Sequence, residues 1–127
     1  MTISGIDHVL LAMPPGGEDL ARWFYGTLLA LDEVPKPNPL NSPSGCWFEG
    51  EATIIHLGVE VDFRSSTKAH PALLVQNLET LQRRLTDAGV RVLPDEALIN
   101  VRRFYAYDPF GNRIEFIQAG DGFSGAL

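Results

Sequence analysis

The sequence predicts an α+β fold: two repeated βαβββ modules forming a cupped mixed sheet with helices on the outer face. Three observations carry this reading. The chain runs strand, helix, three strands, and then the same order again. Polar residues recur at matching places: His8 opens the first strand and His56 sits mid-strand 48 residues later, while His70 and Glu115 hold the same two places 45 residues apart. The first half carries the longer connection, Pro14-Pro15-Gly16-Gly17, which accounts for the difference. The third observation is the closing stretch from Arg102 to Gln118, two β-patterned runs around the turn residues Asp108, Pro109 and Gly111.

Taken in order, residues 6–13 read as a buried strand, ended by two prolines and two glycines. A helix follows over residues 18–29. Glu18 and Asp19 suit its positive end, and Leu20, Trp23, Phe24 and Leu28 form its apolar stripe. Residues 32–40 carry three prolines and read as a short edge strand leading into a loop. Residues 45–49 read as a short strand and residues 52–61 as a strong one, with Ile54, His56 and Gly58 on one face. Residues 62–69 are a polar linker.

The second half opens with a strand over residues 70–76. Asn77 is a natural N-cap, Leu78, Leu81, Leu85 and Ala88 form a second helical stripe, and Gly89 follows where a helix ends. A strand over residues 90–93 and a loop over 94–100 lead into the hairpin. In its last strand Ile114 and Phe116 share one face, and Arg113, Glu115 and Ile117 the other. The whole chain, residues 1–127, reads as a single domain with module one at about 4–62, module two at about 68–118 and a loose tail at 119–127.

Composition narrows the class. Hydrophobic residues make up 45% and charged residues 20%, which suits a globular domain. The formal net charge of −6 argues against nucleic acid and anionic membranes as partners. No stretch approaches the ~20 apolar residues that a membrane span needs. One cysteine, Cys46, forms no internal disulfide, so a reducing, cytoplasmic setting is expected. Cys46 has no basic neighbour in sequence and reads as a small buried residue rather than a nucleophile.

All three histidines of the chain, with Glu115, fill the four repeat-related positions. A carboxylate flanked by large apolar residues in mid-strand needs a partner if it is buried. Imidazole and carboxylate together suit a divalent metal such as Fe, Mn, Ni or Zn, so His8, His56, His70 and Glu115 are candidate ligands. Arg103, Tyr105 and Tyr107 share a face of the penultimate strand and are candidate substrate contacts.

The repeated βαβββ pattern resembles the vicinal oxygen chelate superfamily, which includes glyoxalase I, methylmalonyl-CoA epimerase, extradiol dioxygenases and the fosfomycin and bleomycin resistance proteins. The resemblance spans roughly residues 4–118 and rests on GIDHVLLAM, FYGTLL and FYAYDPFGNRIEF. It implies metal ligands on the first and fourth strands of the modules, here His8, His70 and Glu115, with His56 as a fourth ligand or a base. Glyoxalase I has glutamate, and the epimerase glutamine, at the place of His56. The fosfomycin enzymes carry a threonine close to the first histidine, where this chain has Val9, Leu10 and Leu11.

Two functions follow. One is a metal-dependent lyase, isomerase or dioxygenase acting on a small substrate with vicinal oxygens, with His56 and Glu115 in catalytic roles. The other is a metal-free binding or resistance protein, in which Trp47 and Phe48 line the ligand. A homodimer is expected in either case, because curved sheets leave edges to cover.

Overall fold

The computed structural model describes residues 2–37, 44–97 and 100–120. The chain divides into two compact units, Met1–Arg64 and Ser65–Leu127. Each unit is one βαβββ module with its own four-stranded sheet.

In the first unit β1 (Val9–Met13) leads into α1 (Glu18–Ala21), which continues with wider π-winding through Arg22–Leu28. Then come β2 (Asp32–Val34), β3 (Cys46–Glu49) and β4 (Ile54–Val59). The sheet order is β1-β4-β3-β2, with β1 and β4 parallel and the other neighbours antiparallel. In the second unit β5 (Ala72–Val75), α2 (Leu78–Asp87), β6 (Val92–Asp95), β7 (Arg103–Tyr107) and β8 (Arg113–Gln118) repeat the plan in the order β5-β8-β7-β6. The α+β class and the two modules are as the sequence predicts.

The repeat is exact at the level of pairing. Leu10 pairs with His56 in the first unit, and Ala72 pairs with Glu115 in the second. His8 and His70 each lie two residues before the paired position. Alternation then sorts each strand into two faces. Leu11, Met13, Phe48, Ile55 and Leu57 are buried with the helix residues of the first unit. Phe104, Ala106, Ile114 and Phe116 are buried with Leu81 and Leu85 of α2. The candidate site residues lie on the opposite, helix-free faces.

The first helix departs from the expected stripe. Ala21, Phe24, Tyr25 and Leu28 are the buried residues, whereas Leu20 and Trp23 are 52% and 38% exposed. Methyl-sized Ala21 faces inward and shifts the phase by one residue. The Tyr25 ring then packs on Phe24 and Phe48, with centroids at 4.9 and 5.7 Å. The N–H of Leu29 donates to Phe24 O at 2.9 Å, five residues back, which is the π-type bond. β1 begins at Val9 rather than Ile6, which is exposed. β6 runs over Val92–Asp95 rather than 90–93 and contains Pro94. β6 is an edge strand, where a missing N–H costs no ladder bond. Residues 38–40 of the expected edge strand and loop, residues 98–99 of the expected 94–100 loop, and the end of the tail, 121–127, lie outside the described residues.

α2 follows its sequence signals. Asn77 Oδ1 accepts from the Thr80 N–H at 3.2 Å, and Gly89 adopts φ 82°. The hairpin turn holds a polar knot that alternation does not reveal. Asp108 Oδ1 accepts from the N–H groups of Phe110 and Asn112, and Asp108 Oδ2 accepts from Asn112 Nδ2 at 2.9 Å. Asn112 Oδ1 accepts from the Ser66 N–H at 3.0 Å, which ties the turn to the start of the unit. Gly111, at φ 86°, lies so close to Ser65 that a Cβ would clash.

Candidate functional site

On the helix-free face of the first unit, β1, β3 and β4 bring three rings together. Trp47 pairs with His56 across β3 and β4, and their rings stack at 3.9 Å and 2°. His8 stacks on His56 from β1's side at 4.2 Å. His56 is 8% exposed. Burial first, and then the nearby His8, push its imidazole below its ordinary value of 6.5. His56 is therefore neutral near pH 7. His8 Nδ1 donates to Asp7 Oδ2 at 2.8 Å. A carboxylate only accepts, so Nδ1 carries a proton.

On the helix-free face of the second unit, β8 carries Glu115, which is 6% exposed. This burial excludes an ordinary solvent-facing strand glutamate. Its Oε1 lies 3.0 Å from His70 Nε2, and its Oε2 accepts from Arg103 at 3.0 Å. A second Arg103 nitrogen donates to Asp95 Oδ2 at 2.8 Å. The N–H of Ala97 holds the Asp95 carboxyl below its usual range, and Arg103 adds to this. Tyr105 pairs with Glu115, and its ring meets His70 edge-on at 5.5 Å. Arg113 lies over the Tyr105 ring at 3.8 Å, and Arg91 over the Tyr107 ring at 4.5 Å.

His70 Nδ1 lies 2.9 Å from the carbonyl oxygen of Lys68. A carbonyl only accepts, so Nδ1 carries a proton. Nε2 and the facing carboxylate oxygen, 3.0 Å apart, are then joined by a shared proton or by a cation in its place. This donor chemistry fits a divalent metal: an imidazole with its far nitrogen pinned, beside a carboxylate whose other oxygen is held by an arginine. His8, with Nδ1 pinned by Asp7, repeats the imidazole half of the pattern. Among the described residues, neither unit by itself gathers three His, Cys, Asp or Glu side chains around one point.

The sequence-predicted residues thus fall into two groups, His8, His56 and Trp47 in one unit and His70, Glu115, Arg103, Tyr105 and Tyr107 in the other. Arg103 spends both terminal nitrogens on carboxylates. Asp7, Asp95, Arg113 and Arg91 escaped the sequence reading as partners. Parity with Glu115 was the available signal for Arg113, and adjacency to His8 for Asp7. Cys46 is buried, and desolvation pushes its thiol up to about 11, as expected for a packing residue. A separate hollow of about 780 Å³ is lined by residues including Asn77, Gln82, Asp95, Arg103 and Gln118. It shares Arg103 and Asp95 with the cluster, but its other polar groups are mainly amides.

No family model matches the chain, and no curated protein does. Among solved structures, the chain is similar to a glyoxalase family protein of Bacillus anthracis, with 45% identity and a TM-score of 0.88 over 93% of this chain and 97% of that one. It is also similar to FosX, the genomically encoded fosfomycin resistance protein of Listeria monocytogenes, with 19% identity and a TM-score of 0.77 over 99% and 100% of the two chains. FosX has also been crystallised with Mn(II) and sulfate. A glyoxalase/dioxygenase of Nostoc punctiforme shares 22% identity and a TM-score of 0.75 over 92% of each chain. The last two likenesses speak to the fold.

Proposed function

Since the chain belongs to the glyoxalase family, within the vicinal oxygen chelate superfamily, we propose that it is a metal-dependent enzyme acting on a small substrate with vicinal oxygens. The observation that carries this reading is the His70–Glu115 contact, in which two lone-pair donors face each other with their far sides already pinned. His8, His70 and Glu115 would hold a divalent ion, Fe, Mn, Ni or Zn. The Mn(II) found with FosX supports a metal of this class. The ion, when bound, supplies Lewis acidity toward the two substrate oxygens.

The chain's own residues would do the rest. Arg103 holds Glu115 in one orientation. His56, neutral and stacked between Trp47 and His8, is either a fourth ligand or the base that takes a proton from substrate. Tyr105, Tyr107 and Trp47 line the substrate. The reaction would be of lyase, isomerase or dioxygenase type, carried out by both modules as one domain. A homodimer would cover the edge strands β1 and β5, whose Leu10 and Leu74 are 59% and 68% exposed. No described helix is long and apolar enough to cross a membrane.

A second reading is favoured by one specific feature. Arg103 and His70 both already contact the Glu115 carboxylate, so the face also stands as a metal-free binding surface for a small molecule. Elemental analysis of protein purified without chelator, followed by titration with Fe, Mn, Ni and Zn, separates the two. The enzyme reading expects about one ion per chain, and the absence of stoichiometric binding for every metal overturns it.

A further inference from the structure

The helix-free face of the second unit is built in cross-strand rows. The row through the Leu93–Tyr105 and Tyr105–Glu115 pairs carries the carboxylate. The next row toward the hairpin turn contains Tyr107 paired with Arg113. Arg91 extends that row on one side, two residues before Leu93 and with its carbonyl accepting from the Tyr107 N–H. His70, two residues before Ala72, extends it on the other side. This row holds two arginines, a histidine and a tyrosine, and no carboxylate.

Arg113 is the centre of the row. Its guanidinium carbon lies over the Tyr105 ring, 3.8 Å from the centroid. Its Nε, like that of Arg103, is buried with no hydrogen-bond partner, so the stem is enclosed. Unlike Arg103, it has no carboxylate on its outer nitrogens among the described residues. Arg103 meets both nearby acids instead, Glu115 and Asp95. Native structures rarely leave a buried polar atom unpaired without a functional reason or a missing ligand. A fixed guanidinium with its outer nitrogens uncommitted is a preorganised receptor for two acceptor oxygens. Arg91, held over Tyr107 at 4.5 Å, adds a second positive charge to the same row.

We propose that Arg113, with Arg91 and Tyr107, forms an anion subsite that takes the carboxylate or phosphate end of a small substrate. As part of a substrate site this rests on the enzyme reading above; as an anion site it stands without the metal. The rest of the chain carries net negative charge, so binding here would be local to the row rather than a general attraction.

The test uses full-length protein stripped of metal with chelator and titrated separately with inorganic phosphate and with acetate, following the Arg113 side-chain Nε–H signal by NMR. Saturable shifts are expected with at least one anion. Response to phosphate alone assigns a phosphoryl-type group, and response to acetate alone a carboxylate. Arg113→Met is expected to weaken binding by about 10- to 100-fold, and Arg113→Lys, which keeps the charge but loses the fork, by less. Arg83→Met, on exposed α2 surface, is expected to leave binding unchanged. If the Arg113 signal stays still with both anions, or if Arg113→Met and Arg83→Met behave alike, the proposal is overturned. A separate metal titration distinguishes its failure from failure of the enzyme reading.

Discussion

Replacing Arg103 by Met tests whether Glu115 is held by a closed charge network. The substitution keeps most of the apolar stem and removes two charge-assisted hydrogen bonds, at 3.0 Å to Glu115 and 2.8 Å to Asp95. Glu115 then becomes a nearly buried carboxylate with His70 as its remaining partner. Breaking a buried pair from one side costs about 3–5 kcal/mol. His70 stays in place and Asp95 is partly exposed, so the low end applies, about 3 kcal/mol. For a domain of this size that lowers Tm by roughly 10 °C. The assay is urea and thermal unfolding of metal-free protein, as a cycle with Glu115→Gln. The double variant is expected to recover at least about 1 kcal/mol relative to the sum of the singles, because the uncompensated charge is gone. A single variant within about 0.5 kcal/mol of wild type, or an additive double variant, refutes the network.

Three further outcomes are expected. Tyr25→Ala costs about 3–5 kcal/mol in urea unfolding, because the ring is fully buried, while Trp23→Ala costs under about 1 kcal/mol; equal losses would contradict the observed phase of the helix. The Cys46 thiol stays unreactive to a thiol reagent at pH 8 until urea is added. Its folded value lies above its unfolded one, so its contribution to stability is complete below about pH 9 and declines as pH rises toward about 11; Cys46→Ala flattens that decline. His56→Ala lowers turnover by about 10²–10⁴-fold with metal retained if His56 is the base, and lowers both together if it is a ligand. Unchanged turnover and metal content would reduce His56 to a packed ring.

Much of this was legible in the chain because alternation and spacing are physical constraints. The spacings from His8 to His56 and from His70 to Glu115 become, in the sheets, the same parallel pairing offset two residues from each histidine. The α2 stripe and its Asn77 cap were readable for the same reason. The phase of the first helix was not, because Ala21 and Leu20 are both apolar and only packing decides which turns inward. Pro94 suggested a loop because a sequence does not say which strand lies at an edge. The partners of the site were hidden for a third reason. Whether Arg103 meets Glu115 and Asp95, or Arg113 lies over Tyr105, depends on side-chain reach across paired strands, which period two does not determine.

The most direct test of the central claim is the imidazole ¹⁵N spectrum of His70, recorded on chelated protein and again after one equivalent of Zn(II). The account predicts a protonated Nδ1 in the chelated protein, donating to Lys68. On addition of zinc, the Nε2 resonance should move to a metal-bound position while Nδ1 keeps its proton, and Glu115→Gln should weaken that response by at least about tenfold. A His70 spectrum unchanged by zinc, in protein that is folded and otherwise intact, would contradict it.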